Sequence, residues 1–194
     1  MSTPVDTTRD RMLRAFMLLV AERGFEATTT RAVAEAAGVN EVTIFRHFGD
    51  KMTLAREAVR QLSPVRQLVE YRPRIDASSP ETAAAGLLDC LRYLRDTLWE
   101  HRGLVQFGMS DAWRYPELLS EIERAPQAAS VALAYALEAA RPALRPVVDT
   151  HASALSLQSL IFTTVLWQSH GWLSMTTHAW DDLLAANIRP LIRD

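Results

Sequence analysis

Residues 29–48, TTRAVAEAAGVNEVTIFRHF, read as two short helices joined by a tight turn. Thr29 is a helix-capping residue type, and a helical run follows it as far as Ala37. Gly38 takes a left-handed backbone without steric cost, so it can end the first helix abruptly. Asn40 is a second cap candidate, and a second helix runs from it to Phe48. This is the layout of a helix-turn-helix, whose second helix enters the major groove of DNA.

Three runs lie in and around this stretch: GFEATT at 24–29, AEAAGV at 34–39 and TIFRHF at 43–48, followed by Lys51. Together they resemble the amino-terminal domain of the TetR family of transcriptional regulators, over roughly residues 8–60. The rest of the chain is similar in length and helical character only. The resemblance implies an all-α fold of about nine helices. A three-helix helix-turn-helix DNA-binding domain, residues 1–51, precedes a helical ligand-binding and dimerisation domain, residues 52–194.

The composition is that of a soluble globular protein. The chain has 194 residues, of which 48% are hydrophobic and 23% charged, and this length is enough to bury a core. No apolar run reaches the ~18 residues that a membrane crossing needs. The single cysteine, Cys90, cannot form an internal disulfide, which suits a reducing compartment. We therefore expect a cytoplasmic protein with no membrane partner.

The net charge does not indicate a nucleic-acid partner. It is −2 for the whole chain, and residues 1–60 carry nine Arg or Lys against eight Asp or Glu. A strongly basic patch is the usual mark of DNA binding. The DNA-binding interpretation therefore depends on where the basic residues fall, on or beside the second helix of the motif.

Residue type suggests a role for each candidate DNA-binding residue. Hydroxyl and ammonium groups suit phosphate oxygens, and backbone N–H groups at helix starts add further donors. Arginine and histidine can clamp phosphates or read bases, and apolar side chains can touch thymine methyls. The predicted DNA-binding set is Thr28, Thr29, Arg31, Asn40, Glu41, Val42, Thr43, Phe45, Arg46, His47 and Lys51.

Three of these positions depart from the family. Val42 stands where relatives have a small residue, and Phe45 stands where they have tyrosine, so a hydroxyl that bonds phosphate in relatives is lost. Position 41, often basic or neutral in relatives, is Glu41 here. Glu41 either accepts from a cytosine amine or repels phosphate.

The last two helical segments indicate self-association. Residues 148–171 are apolar nearly all round, and residues 177–193 carry one apolar stripe. As in the TetR family, we expect a twofold homodimer through a four-helix bundle, two helices from each subunit; the alternative is a large monomeric core. The predicted dimer contacts are Leu166, Trp180, Leu184, Ile188 and Leu191.

A symmetric dimer presents two recognition helices to successive major grooves, about 34 Å apart, so the DNA target should be a palindromic operator. The effector should be a small, mostly apolar molecule bound in the carboxy-terminal domain. Its binding would shift the fourth helix and change the separation of the recognition helices. The predicted ligand-binding residues are Leu94, Phe107, Trp113, Tyr135, Gln158 and Phe162, although aromatic residues at helical spacing also suit a plain core.

Other functions find less support in the sequence. No nucleophile elbow, phosphate-binding glycine loop or HExxH motif is present, so an enzyme is not expected and no cofactor is implied. The histidines show no paired metal-ligand spacing, which argues against a metal sensor. We expect a ligand-responsive transcriptional regulator, most simply a repressor. An activator, or a regulator controlled by a protein partner, remains the alternative.

Overall fold

The computed structural model describes residues 7–110 and 112–193 and is all-α, as predicted. The ends of the two predicted domains, residues 1–6 and 194, lie outside the described residues. Within the described part there are eleven α-helical segments, nine of them eight residues or longer. They are α1 (Thr8–Ala27), α2 (Thr30–Ala37), α3 (Glu41–Phe48), α4 (Lys51–Leu62), α5 (Val65–Glu70), α6 (Pro80–Glu100), α7 (Arg102–Ser110), α8 (Pro116–Ile122), α9 (Arg124–Ala139), α10 (Thr150–Ser169) and α11 (Thr177–Ile188).

The chain forms two compact units, and each is built from more than one stretch of sequence. Unit 1 contains residues 1–63 and 103–124, and unit 2 contains residues 64–102 and 125–194. The residues after the helix-turn-helix therefore do not all belong to one packing unit. The functional division between residues 51 and 52 stays a prediction.

Unit 1 packs around the apolar faces of α1, α2, α3 and α4. Phe16 and Phe25 meet edge to face with ring centroids 6.1 Å apart. Gly24 interrupts α1 with φ 82°, a backbone conformation that favours glycine, and this turn returns Phe25 to the core. Phe107 and Leu118, from α7 and α8, are buried in the same cluster. A segment about sixty residues downstream in the sequence thus completes the core of the helix-turn-helix unit.

Unit 2 contains α5, α6, α9, α10 and α11, with α6 packed against both α10 and α11. Leu91 and Leu94 of α6 are fully buried or nearly so. Asp181 of α11 accepts from Arg92 at 2.9 Å and from Arg95 at 3.2 Å, which ties α6 to α11. Because Arg95 is buried, its charge needs these acceptors to offset the loss of water.

Proline shapes the middle of the chain. α8 ends at Ile122 and α9 begins at Arg124, two residues before Pro126. Pro126 lies in the first turn of α9, where its missing N–H costs no helical hydrogen bond. Among the described helices, none combines the length and apolar character that a membrane crossing requires.

Candidate nucleic-acid interface

Local capping builds the helix-turn-helix as the sequence predicts. The Thr29 hydroxyl accepts from the Ala32 N–H at 3.1 Å and begins α2. Gly38 follows α2 with φ 67° and ψ 39°, the left-handed conformation that stops a helix. The Asn40 side chain accepts from the Val42 N–H at 2.9 Å and begins α3. Each helix start satisfies one of its unpaired N–H groups through a side chain of the motif itself.

The two faces of α3 differ in burial. Ile44 and Phe48 are buried in unit 1. Val42 is 71% exposed and Phe45 48% exposed, and Arg46 and His47 are exposed beside them. Large apolar side chains left in water next to two basic ones mark a surface for binding rather than for folding. Arg31 on α2 is also exposed, and Thr43 is half-buried.

Thr28 is a correction to the predicted set. Its side chain is fully buried, and its hydroxyl donates to the Gly24 carbonyl at 2.8 Å. The hydroxyl thus closes the turn after α1, and burial withdraws it from the predicted phosphate contact. Thr29 next to it is exposed and acts as the cap of α2. Paired threonines in sequence do not reveal which of the two faces inward.

Lys51 begins α4 and is held by the turn that follows Gly24. Its ammonium lies 4.3 Å from the centroid of the Phe25 ring and donates to the Glu26 carbonyl at 3.3 Å. Burial lowers the pKa of Lys51, and the charge of Glu26 opposes this shift. The lysine is therefore positioned by a cation–π contact and a hydrogen bond. Just before it, Asp50 caps α4, and the hydrogen bond from the Thr53 backbone N–H lowers the pKa of its carboxyl.

The turn that holds Lys51 is itself packed against the downstream part of unit 1. The Phe25 ring stacks on Phe107 with centroids 5.8 Å apart and lies 4.3 Å from the Tyr115 ring. The Tyr115 hydroxyl donates to the Glu26 carboxylate. Tyr115 was not among the predicted residues, because nothing in its local sequence distinguishes it from a tyrosine of the carboxy-terminal domain.

Glu41 has a partner within the motif. The Thr30 hydroxyl donates to the Glu41 carboxylate at 2.7 Å, and both residues are half-buried. Thr30 was not predicted as a site residue. The two positions are eleven residues apart on different helices, so no helical spacing rule links them.

The predicted ligand-binding residues do not form one group. Phe107 is buried in unit 1, and Trp113, also in unit 1, is 65% exposed. Leu94, Tyr135, Gln158 and Phe162 belong to unit 2. Leu94 is buried in its core, whereas Tyr135 lines a cavity of about 420 Å³ between α5, the residues that follow it, and α9. The cavity is lined by Leu68, Val69, Tyr71, Arg72, Pro73, Ala128, Val131, Ala132 and Tyr135.

Gln158 carries a distinct feature. Its amide nitrogen donates to the Pro126 carbonyl at 2.8 Å, while its amide oxygen is buried without a hydrogen-bond partner among the described residues. No group of three or more His, Cys, Asp or Glu side chains in the described ranges is arranged to hold a metal ion.

The predicted dimer contacts fall into two groups. Trp180, Leu184 and Ile188 are buried within the single chain, at 5%, 0% and 2% exposure, so they offer a partner almost no surface. Leu166 and Leu191 are half-buried. The amphipathic stripe of α11 thus packs within its own subunit, where the Trp180 indole N–H also donates to Gln168 at 2.8 Å. An apolar stripe shows that a helix face is covered but does not show by what.

Comparisons with known proteins agree with this architecture. The family described as "Bacterial regulatory proteins, tetR family" matches residues 13–58. The uncharacterized HTH-type transcriptional regulator YvkB of Bacillus subtilis is 28% identical over 62% of this chain and 60% of its own length. The HTH-type transcriptional repressor KstR2 of Mycolicibacterium smegmatis is 35% identical over 27% of this chain and 25% of its own length. In both cases the match spans less than two thirds of the relative.

Solved structures extend the similarity to the whole fold. The crystal structure of NalD, the secondary repressor of the MexAB-OprM multidrug efflux pump in Pseudomonas aeruginosa, matches with a TM-score of 0.70 and 25% identity over 96% of this chain and 97% of NalD. KstR2 of Mycobacterium tuberculosis matches with a TM-score of 0.72 at 20% identity, covering 98% of this chain and 97% of that one. These relatives are transcriptional regulators rather than enzymes, as the sequence predicts. The capped helix-turn-helix lies inside the matched region, so residues 13–58 of the chain are similar to the amino-terminal domain of the TetR family of bacterial transcriptional regulators.

Proposed function

We propose that the protein is a repressor that binds a palindromic DNA operator as a homodimer and is released by a small, mostly apolar effector. The observation that carries the DNA-binding part is the exposed face of α3, where Val42 and Phe45 stand in water beside Arg46 and His47. A folded unit gains nothing by exposing large apolar side chains, whereas base edges and thymine methyls offer them a partner.

The contacts divide into positioning and reading. The exposed Thr29 and the amino-terminal N–H groups of α2 and α3 suit phosphate oxygens. Lys51 is held beside the start of α4, where its ammonium adds a further phosphate contact. Arg46, exposed in the last turn of α3, either clamps a phosphate or pairs with guanine, and a guanine pair would give about 1–3 kcal/mol of discrimination.

Selection of bound fragments from the source genome tests DNA binding directly. The expected result is enrichment of one palindromic sequence, with an affinity that falls as salt rises because phosphate contacts release counterions. Arg46→Ala should weaken binding to the selected fragment. Arg66→Ala is a charge-matched control, since Arg66 is exposed on α5 and pairs with Glu70 on its own helix. Equal, salt-insensitive binding of all fragments would contradict the proposal.

Dimerisation is supported by the outward face of α10. Leu155 is 58% exposed and Trp167 48% exposed, and the half-buried Leu166, eleven residues from Leu155, lies on the same side of the helix as Leu155. A partner helix would cover these side chains, as in a four-helix bundle. We assign the dimer face to them because most of the α11 stripe is already covered within the subunit.

The cavity lined by Tyr135 is the strongest candidate for the effector site. Its volume of about 420 Å³ lies within the usual range for small-molecule sites. Most of its lining is apolar, and the guanidinium of Arg72 donates to the Val69 and Tyr71 carbonyls, so its donors are already used in part. This environment favours a neutral, largely apolar molecule over an anion.

A gel-shift titration with a panel of apolar compounds tests the effector. Release of the selected fragment by a compound, and loss of that release in Val131→Asp, are the expected results. Val131 is 70% exposed and lines the cavity, so a carboxylate there is tolerated by the fold but not by an apolar ligand. Ala186→Asp, on the exposed side of α11, controls for the added charge. Reporter expression in a deletion strain separates repressor from activator.

A further inference from the structure

One hydrogen bond joins the two helices of the motif at their amino-terminal ends. Thr30 is the first residue of α2 and Glu41 is the first residue of α3. The Thr30 hydroxyl donates to the Glu41 carboxylate over 2.7 Å, in a half-buried position. A hydrogen bond to a charged acceptor is shorter and stronger than a neutral one. The start of the recognition helix is therefore tied to the start of the helix that precedes it.

The carboxylate is favourable for the helix but unfavourable for DNA. At the first turn of α3 it lies near unpaired N–H groups, where the helix dipole favours negative charge. The same surface faces the phosphates of a duplex under the proposed function, and a negative charge there weakens binding to every sequence. A glutamate at this position therefore lowers the affinity for DNA of any sequence. Its contribution to DNA binding has to be something other than overall affinity.

From this geometry we infer that Glu41 is a positioning residue: through Thr30 it fixes the orientation of α3 against α2 and thereby sets the base preference. The inference rests on the proposed DNA-binding function and specifies which residues govern its selectivity. Direct reading of a cytosine amine by Glu41 is the competing role. The two roles differ in whether Thr30, which would touch no base, affects sequence preference.

Without the Thr30–Glu41 hydrogen bond, the amino-terminal end of α3 would be free to shift against α2. Such a shift would also move the side chains next to Glu41. Val42 follows Glu41 directly and Phe45 lies one turn further on, both exposed on α3. A recognition helix contacts base edges mainly with its amino-terminal residues. Rocking of this end about the buried Ile44 and Phe48 would move Val42, and to a smaller extent Phe45, relative to the bases. Selectivity should therefore respond more than the stability of the fold.

The experiment uses five single variants and one double variant of the full chain, and a selection from random duplex DNA. Thr30→Val keeps the shape and the Glu41 charge but removes the hydroxyl. Glu41→Gln keeps an acceptor oxygen for Thr30 and removes the charge, and Thr30→Ser restores a hydroxyl. Glu35→Gln, on an exposed residue of α2, is the charge-matched control. Each is measured for its base preference, its overall affinity and its unfolding free energy.

Thr30→Val should reduce the affinity ratio between the preferred and a mismatched sequence by about tenfold, the scale expected when a contact between coupled groups is lost. Thr30→Ser should retain the preference. Glu41→Gln should raise affinity for all sequences and leave the ratio unchanged, and Glu35→Gln should leave the ratio unchanged as well. In the double variant Thr30→Val/Glu41→Ala the ratio should fall no further than in Glu41→Ala alone.

Two results would overturn the inference while leaving the proposed function in place. One is an unchanged base preference in Thr30→Val, including the case in which only its unfolding free energy falls. The other is a new preferred base in Glu41→Gln, which would identify Glu41 as a direct reader. Failure of the unmodified protein to select any sequence would instead contradict the proposed function, and the inference with it.

Discussion

At the scale of single residues, exposed apolar side chains mark the candidate interface more clearly than charge does. Phe45 is 48% exposed on α3. Because the Phe45 side chain is about half exposed, a hydroxyl added to its ring should be tolerated. The resemblance to the TetR family implies a tyrosine at this position whose hydroxyl bonds a phosphate.

Phe45→Tyr should therefore strengthen operator binding. One added hydrogen bond contributes about 0.5–1.5 kcal/mol, or roughly twofold to tenfold in the dissociation constant. The unfolding free energy should not change, since the side chain is exposed. Fluorescence anisotropy with the selected operator measures the effect, and Phe45→Leu serves as the control that lacks both ring and hydroxyl. Equal affinity of Phe45→Tyr and the unmodified protein would show that no phosphate lies within reach.

Cys90 should be chemically silent in the folded protein. It is fully buried on α6, and burial raises the pKa of its thiol to about 11. An unfolded cysteine ionises near pH 8.5. Because the pKa is raised in the folded state, the contribution of this thiol to the unfolding free energy is fully present below about pH 8.5. It is lost as pH rises towards 11. At pH 8 a disulfide reagent should label Cys90 only as fast as the chain unfolds. Immediate stoichiometric labelling of native protein would contradict this.

At the scale of elements, the sequence predicts features that depend on neighbouring residues and misses contacts between segments that are far apart in the sequence. Thr29, Gly38 and Asn40 act as predicted at helix ends, because a cap depends on residues two to four positions away. The Thr30–Glu41 bond spans two helices, and it was missed. The burial of Trp180, Leu184 and Ile188 within the subunit was missed for a related reason. Periodicity identifies an apolar face, but the identity of the neighbour depends on tertiary packing.

Two glycines should respond to alanine for different reasons. Gly38 has φ 67° and an added Cβ would meet no atom within 4 Å, so only the left-handed backbone opposes alanine, at about 1–2 kcal/mol. Gly86 in α6 has a helical backbone, but a Cβ would approach the Arg74 carbonyl to 2.9 Å. Gly38→Asn should retain most of the unfolding free energy that Gly38→Ala loses, because asparagine adopts the left-handed region more readily than alanine does.

The same rescue should fail at Gly86, where the larger side chain meets the same carbonyl. Urea unfolding of the four variants, alanine and asparagine at each position, separates the two causes. If asparagine were no better than alanine at Gly38, the backbone explanation for the turn would be contradicted.

At the scale of the whole molecule, the chain passes between the two compact units three times, after residues 63, 102 and 124. A boundary drawn once along the sequence cannot anticipate this, because the residues that complete unit 1, Phe107, Tyr115 and Leu118, look like ordinary helix residues of the following domain. The same segment holds the Phe25 turn that positions Lys51. Under the proposed function, an effector bound in unit 2 acts on a DNA-binding unit to which unit 2 is covalently joined at three points.

Under the proposed function, operator binding depends on self-association, which is a property of the whole molecule. Trp167 is 48% exposed on α10, so replacing it with glutamate should not unfold the subunit, whereas a charge buried against a partner helix is costly. Trp167→Glu should shift the protein from dimer to monomer in sedimentation experiments. It should also weaken binding to the full palindrome by at least about a hundredfold, since the second half-site contact is no longer intramolecular. Binding to an isolated half-site should be unchanged.

Val147→Glu, in a loop position that is 87% exposed, supplies the matched control. A Trp167→Glu protein that stayed dimeric would place the interface elsewhere; one that became monomeric yet bound the palindrome with full affinity would show that each recognition helix acts alone.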